Sequence, residues 1–276
     1  MEITEAEVVC HEQVSGDYRL IRLFCPSVAS SARPGQFVHL RIPGCDALTL
    51  RRPFSIFRAD EDNVSILYKY IGQGTGILAN VLAGCKISLI GPLGNGFPHK
   101  QDDTFPVLVG GGYGVAPLLY FAREIESRGV LFVGAGTSSD ILCVDEFREL
   151  GWKVEVATED GSTGEPGLVT DILDEWLSGA GKGQTPEFFA CGPHGMLKAV
   201  GDRAIAGGWK AWLSMDKNMG CGVGVCLACV QRIKRENGNE EWARVCSDGP
   251  VFEAREIVWE QKKSTSCGAA RVVEEK

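Results

Sequence analysis

Met219-Gly220-Cys221-Gly222-Val223-Gly224-Val225-Cys226-Leu227-Ala228-Cys229, followed at a distance by Cys246, dictates a C-terminal module built around metal. Three thiols spaced C-x4-C-x2-C, with a fourth further on, follow the plant-type pattern for a [2Fe–2S] cluster. Four thiolates hold two irons only if the loop wraps closely round the inorganic sulfurs. Gly220, Gly222, Gly224 and Ala228 supply the small residues that close wrapping needs. A structural zinc site also uses four cysteines, but as two short C-x2–4-C knuckles, and here only one short pair exists. Disulfides are a third option and would need an oxidising compartment. A cluster of this kind moves one electron at a time, so the rest of the chain should hold the group that gives or takes electrons.

The chain has 276 residues, enough for two domains and a small module. Its net charge of −8 argues against nucleic acid as a partner. No run of 18 apolar residues suggests a membrane span, and the acidic start Met1-Glu2-Ile3-Thr4-Glu5 lacks the regions of a signal peptide. A cytoplasmic protein is expected. Of eleven cysteines, four are assigned to the cluster. Most of Cys10, Cys25, Cys45, Cys85, Cys143, Cys191 and Cys267 fall in apolar strand-like runs and read as small core residues.

The pattern divides the chain into three parts. Residues 1–100 read as an antiparallel β-barrel, with β-prone stretches at 7–11, 19–25, 36–42, 54–59, 63–70 and 86–90 and one short helix at 74–82. Residues 104–213 alternate strands (105–109, 130–134, 153–157, 187–190, 210–213) with helices (116–128, 144–150, 169–177, 195–206). That alternation predicts an α/β domain with a doubly wound parallel sheet. Residues 214–258 form the cysteine module, and 259–276 read as a poorly ordered tail, with Cys267 incidental to it.

The barrel carries Arg51-Arg52-Pro53-Phe54-Ser55-Ile56. On an extended strand Arg52 and Phe54 share a face. The guanidinium suits a pyrophosphate, Phe54 a ring system, and Ser55 a flavin N5 edge. A buried strand with one exposed arginine would look similar. Tyr68-Lys69-Tyr70 lies on a neighbouring strand, and Gly72-Gln73-Gly74-Thr75-Gly76 opens a short helix whose free amides suit an anion. A plain capping turn is the alternative there.

In the α/β domain, Gly110-Gly111-Gly112-Tyr113-Gly114-Val115-Ala116-Pro117 forms a strand, glycine turn and helix start, suited to a dinucleotide lying across the strand ends. It is neither a G-x-G-x-x-G fingerprint nor a Walker loop. Cys191 and Gly192, at the end of a later strand, should lie beside the Gly111, Gly112 and Gly114 turn, where a nicotinamide could slide against a flavin. An ordinary core cysteine is the competing reading. Thr158-Glu159-Asp160-Gly161 places carboxylates where they would repel a 2′-phosphate, so NAD is expected over NADP.

Taken in order, Arg52-Pro53-Phe54-Ser55, Gly91-Pro92-Leu93-Gly94-Asn95-Gly96-Phe97, Gly110 to Pro117 and Cys191-Gly192-Pro193 resemble the ferredoxin–NADP reductase superfamily. Leu213-Ser214-Met215-Asp216 leading into the cysteine loop, and Val245-Cys246-Ser247-Asp248-Gly249-Pro250-Val251-Phe252 closing it, are similar to the electron-transfer subunits of type B dihydroorotate dehydrogenases. The resemblance covers nearly all of residues 1–258. It implies FAD contacts at Arg52, Pro53, Phe54, Ser55, Leu67, Tyr68, Lys69, Gly74 and Thr75, and cluster ligands at Cys221, Cys226, Cys229 and Cys246. It also implies a partner, an FMN-containing catalytic subunit in an α2β2 heterotetramer of pyrimidine biosynthesis. Electrons would pass from the partner's FMN through the cluster and FAD to NAD+, and this chain would need no general base. Phe54 departs from the pattern, since many reductases carry tyrosine there and the similar subunits an aliphatic residue. Two other functions compete. One is a flavin/iron–sulfur subunit of a sulfide dehydrogenase or an NADH-dependent ferredoxin:NADP oxidoreductase, relatives that can replace one cluster cysteine by aspartate. The other is a zinc-bearing scaffold on a degenerate reductase fold.

Overall fold

The computed structural model describes residues 1–44 and 49–259. The expected unordered tail, apart from Trp259, lies outside the described residues, as do Cys45 and Cys267.

Seven antiparallel strands form the first sheet: β1 (Glu2–Ser15), β2 (Tyr18–Phe24), β3 (Phe37–Leu40), β4 (Arg52–Ser55), β5 (Arg58–Asp60), β6 (Asn63–Lys69) and β7 (Lys86–Leu93), in the order β4-β3-β7-β1-β2-β6-β5. Two short helices, α1 (Pro26–Ala29) and α2 (Gln73–Leu78), interrupt them. The single stretch expected at 54–59 is two strands, because the chain changes partner there. Ile56 N–H donates to the Gln36 carbonyl at 3.0 Å, and Phe57 N–H donates to the Ser65 carbonyl at 2.9 Å. That crossing joins the β3 side to the β6 side and closes the barrel. Val8, Ile21, Leu23, Val38, Leu40, Ile66 and Leu89 alternate inward to fill it.

The second sheet holds β8 (Phe105–Gly111), β9 (Val130–Ala135), β10 (Lys153–Thr158), β11 (Glu165–Pro166), β12 (Pro186–Cys191) and β13 (Lys210–Ser214), all parallel. Crossover helices α3 (Val115–Glu124), α4 (Val144–Glu149), α5 (Val169–Ser178) and α6 (His194–Gly207) connect them. The order β11-β10-β9-β8-β12-β13 reverses between β8 and β12, as a doubly wound sheet requires. Both faces are covered. Leu108, Leu131, Val133 and Phe189 meet α3 and α4, whereas Val107, Val109, Phe132 and Phe188 meet α5 and α6. Helix α3 is apolar nearly all round because it is packed between the sheet and the barrel, where Tyr120 Oη donates to the Ala32 carbonyl at 3.1 Å. It ends at Glu124, short of the expected 128, where Ile125 turns extended.

The cysteine module contributes a hairpin, β14 (Val230–Lys234) with β15 (Glu240–Arg244), and a closing strand, β16 (Val251–Glu253). Strand β16 pairs antiparallel with β13 and becomes the edge of the parallel sheet. Cys229, Ile233, Val245, Cys246 and Phe252 continue the core under α5 and α6, and Trp259 packs against it. Among the described residues no helix is long and apolar enough to cross a membrane. The expectation that the remaining cysteines are small core residues fits Cys25, which is buried, but Cys10 and Cys85 are exposed. Cys10 sits at an irregularity in the β1–β2 register, which breaks the in–out alternation assumed for it.

Candidate redox centre

The cysteine loop owes its shape to its glycines. Gly222 and Gly224 hold φ of +73° and +83°, and Leu227 also takes a left-handed φ of +57°. This path turns amides inward. Val223, Val225 and Cys226 N–H donate to Cys221 Sγ at 3.4, 3.3 and 3.4 Å. Gly224 N–H donates to Cys246 Sγ at 3.1 Å, and Cys246 N–H to Cys229 Sγ at 3.4 Å. These amide contacts gather the sulfurs of Cys221, Cys229 and Cys246 against one loop, with Cys226 beside them. Among the described residues no three His, Cys, Asp or Glu side chains converge on a single-ion site.

The electrostatics fit the same cargo. Burial opposes ionisation of Cys221, yet the amides of Cys226, Val223 and Val225 outweigh it and bring the thiol down to about 6. Burial, then the Cys229 sulfur, pushes Cys246 up. Bound metal cations would supply the charge that compensates a Cys246 thiolate there. Arg244 pins the loop from behind. Its Nε and Nη2 donate to the Asp248 carboxylate at 3.0 and 2.9 Å, and its Nη1 reaches the Gly224 carbonyl at 3.3 Å.

The barrel docks this module through a motif whose purpose the sequence left open. Asn95 N–H donates to the Gly249 carbonyl at 2.6 Å, and its side-chain amide donates to the carbonyls of Ser247 and Asp248 at 3.3 and 3.1 Å. A Cβ on Gly94 would stand 2.5 Å from Pro250 Cδ, so the turn admits no side chain. The sequence offers Asn95 only as part of the Gly91–Phe97 motif, with no role of its own, and gives no signal for the buried His39, whose ring lies against Gly222. Both act across about 150 residues or more, beyond the reach of any local signal.

On the barrel, Arg52, Pro53, Phe54 and Ser55 form β4 and are half-buried. Arg52 Nη1 donates to the Leu50 carbonyl at 2.8 Å. Phe54 meets Tyr68 edge to face at 5.7 Å between centroids. Leu67 and Tyr68 are buried on β6, and the Tyr68 hydroxyl lies 2.9 Å from His11 Nε2, whose Nδ1 faces the Val81 carbonyl at 2.8 Å. The Lys69 ammonium pairs with Asp140 at 2.5 Å, beside the Tyr18 hydroxyl, which donates to the same oxygen at 2.8 Å. Thr75 Oγ1 accepts from Ile71 and Gly72 N–H at 3.0 and 3.1 Å, so this hydroxyl caps its own turn next to Gly74.

The dinucleotide loops meet as the strand order required. Cys191 pairs with Gly110 across β12 and β8. Cβ atoms added to Gly114 and Gly192 would fall 2.3 Å from the Cys191 carbonyl oxygen and 2.9 Å from Gly111 N, so the two loops touch backbone to backbone, and one added to Gly111 would fall 2.5 Å from Pro193 Cδ. Gly112, at φ +53°, faces the Tyr18 hydroxyl of the barrel. Burial pushes the Cys191 thiol up to about 12 despite a hydrogen bond from Ser214, so it stays neutral at physiological pH. Burial also raises Asp216.

Comparison with known proteins gives this geometry a family. The iron-sulfur cluster binding domain of dihydroorotate dehydrogenase B matches residues 216–258, and the oxidoreductase NAD-binding domain matches residues 108–202. The chain is 37% identical over 262 residues to the dihydroorotate dehydrogenase B (NAD(+)) electron transfer subunit of Shouchella clausii (strain KSM-K16), covering 91% of this chain and 96% of that protein. It is 39% identical over 239 residues to the subunit of the same name from Geobacillus kaustophilus (strain HTA426), covering 84% and 89%. Among solved structures, one describing flavin-based electron bifurcation by NADH-dependent reduced ferredoxin-NADP oxidoreductase superposes with a TM-score of 0.79 at 30% identity, over 92% of this chain and 90% of that one. With such identity sustained from barrel to cysteine loop, the chain belongs to the family of dihydroorotate dehydrogenase B (NAD(+)) electron transfer subunits.

Proposed function

We propose that this chain carries electrons between a [2Fe–2S] cluster held by Cys221, Cys226, Cys229 and Cys246 and NAD, through an FAD in the barrel, on behalf of a separate subunit that oxidises dihydroorotate. The observation that carries the reading is the meeting of three elements. The thiol loop abuts β3, β3 pairs with β4, and the Gly111–Gly114 turn faces the same barrel through Tyr18. Bound FAD would exchange hydride with nicotinamide and single electrons with the cluster. The protein's part is placement. Arg52 would face the pyrophosphate, with Gly74 beside it. Pro53, Phe54 and Ser55 would line the ring system, and Leu67, Tyr68 and Lys69 would add backbone contacts. Gly111, Gly112, Gly114, Cys191 and Gly192 would form the nicotinamide slot. The neutral Cys191 thiol packs there without acting as a nucleophile.

The cluster's solvent side supports a docked partner. Val225 and Leu227 are 77% and 60% exposed and flank the exposed Cys226, so the cluster loop meets solvent through apolar side chains a partner could cover. The proposed partner is the FMN-containing catalytic subunit, in an α2β2 assembly. A cytoplasmic setting, where thiols stay reduced, suits Cys10, Cys25, Cys85, Cys143 and Cys191, the cysteines among the described residues that the cluster does not take. For NAD over NADP, the exposed turn after β10 presents Glu159 and Asp160; Asp160 accepts from Ser162 N–H and Oγ at 2.9 and 2.6 Å, which holds its carboxyl below the usual range and charged. The test is co-expression with an FMN-binding dihydroorotate oxidase, followed by dihydroorotate-dependent reduction of NAD+ and NADP+. Turnover with NAD+ in excess of NADP+ is expected. A chain that forms no complex, or a complex that reduces ferredoxin but not NAD+, would overturn the reading.

A further inference from the structure

His39 is fully buried on β3, opposite Pro53 of the proposed flavin strand, with its ring against the cysteine loop. Its Nδ1 lies 3.2 Å from the Cys221 carbonyl oxygen. A carbonyl only accepts, so Nδ1 carries the proton and Nε2 is left a bare lone pair in a neutral imidazole. Among the described residues no protein group reaches that buried Nε2. A residue that merely filled this space would be apolar, because a buried lone pair with nothing to accept from costs stability. The surroundings are shaped around the ring. Gly222 takes φ +73°, and a Cβ there would stand 2.5 Å from Nδ1. Behind the histidine, Arg51 Nη1 donates to the carbonyls of Ser88 at 2.8 Å and His39 at 3.4 Å, fixing β3 against β7.

We propose that His39 is a positioning residue for electron transfer: its Nδ1–H holds the Cys221 carbonyl, and through it the iron-ligating loop, at a set separation from the flavin strand. No bond forms or breaks; one electron crosses between flavin and cluster, and the histidine fixes the gap. This rests on the function proposed above, and the experiment separates the two. Three variants of the full chain in its complex are compared with wild type. Asn places an amide N–H where Nδ1 stands, Gln places its amide where Nε2 stands, and Leu places neither. Iron and FAD content, the cluster's midpoint potential and EPR spectrum, and the rate of cluster reduction relative to flavin reduction after mixing with NADH are measured.

The expected result is slowing of cluster reduction by about tenfold or more in His39→Gln and His39→Leu, as for other small misplacements of reacting groups. A changed EPR spectrum should accompany it, and His39→Asn should rescue most of the rate and the spectrum. Loss of iron from Gln and Leu but not from Asn would support the same assignment. Wild-type rates, potential and spectrum in His39→Leu would overturn it, as would iron loss in all three variants, which would make the ring simple packing. Wild-type protein lacking iron or flavin would sink the functional reading itself, and the proposal with it.

Discussion

Gly114→Ala probes the nicotinamide slot by space alone. Gly114 has φ −62° and ψ −14°, a conformation alanine adopts freely, so no backbone strain enters. The new methyl would stand 2.3 Å from the Cys191 carbonyl oxygen, 2.6 Å from its carbon and 2.8 Å from Gly192 N. All three are backbone atoms and cannot rotate away. Ordinary contact begins at 3.4 Å, so the Gly110–Gly114 turn and the Cys191–Gly192 turn must part by 1.1 Å, the difference between 3.4 and 2.3 Å. A shift of that size in a hydride-transfer site costs on the order of 100-fold in rate, or about 2.7 kcal/mol of barrier. The clash itself should destabilise the fold by about 1–3 kcal/mol, lowering Tm by roughly 2–4 °C per kcal/mol in a protein of this size. Stopped-flow reduction of the bound flavin by NADH reads the first effect and thermal melting the second. Gly195→Ala is the control, since a Cβ there meets nothing within 4 Å. Wild-type flavin reduction and Tm in Gly114→Ala would show that the two turns are not rigid against each other and that the slot has been misplaced.

Asp140→Asn tests the latch between barrel and α/β domain. The Lys69 ammonium, and after it the Tyr18 hydroxyl, hold the Asp140 carboxyl below its ordinary value of 3.8 despite some burial. A depressed carboxylate contributes stability that is complete above 3.8 and fades as pH falls through the lower folded value. The variant should therefore lose about 1 kcal/mol at pH 7, and melts repeated toward pH 3 should show the difference shrinking. Glu187, buried on β12, accepts from Gln101 N–H at 2.9 Å, Thr104 Oγ1 at 2.7 Å and Trp212 Nε1 at 2.9 Å. Glu187→Leu strands those donors and should cost about 3 kcal/mol, read as a lower denaturant midpoint with an unchanged slope.

Period and punctuation made the α/β half readable: the five strands expected at 105–109, 130–134, 153–157, 187–190 and 210–213 lie within two residues of β8, β9, β10, β12 and β13, because runs such as 105–109 are apolar on both faces and end in glycine, whereas the two-residue β11 carries no such run. The meeting of Cys191 with the glycine turn followed from strand order alone. The cysteine spacing pointed to the cluster because ligand number and spacing are local. What stayed hidden is non-local. Nothing near residue 56 announces that the chain leaves β3 for β6, since the event depends on where Gln36 and Ser65 lie. Val251–Glu253 reads as loop in isolation and becomes a strand because β13 offers it an edge. Asn95 and His39 look like ordinary polar residues until the thiol loop is folded against them. Lys69, expected beside the flavin, is paired with Asp140, a residue 71 positions away.

The antiparallel seat of β16 on β13 makes the chain indivisible. A fragment ended before Met215, cut to keep only the flavin and nicotinamide halves, would bare the hydrogen-bonding rim of β13. It would also strip Val245 and Phe252 from beneath α6. An open rim beside an uncovered apolar face is a template for other chains. Such a fragment would precipitate or associate with itself rather than survive as a miniature reductase, whether or not iron was ever present.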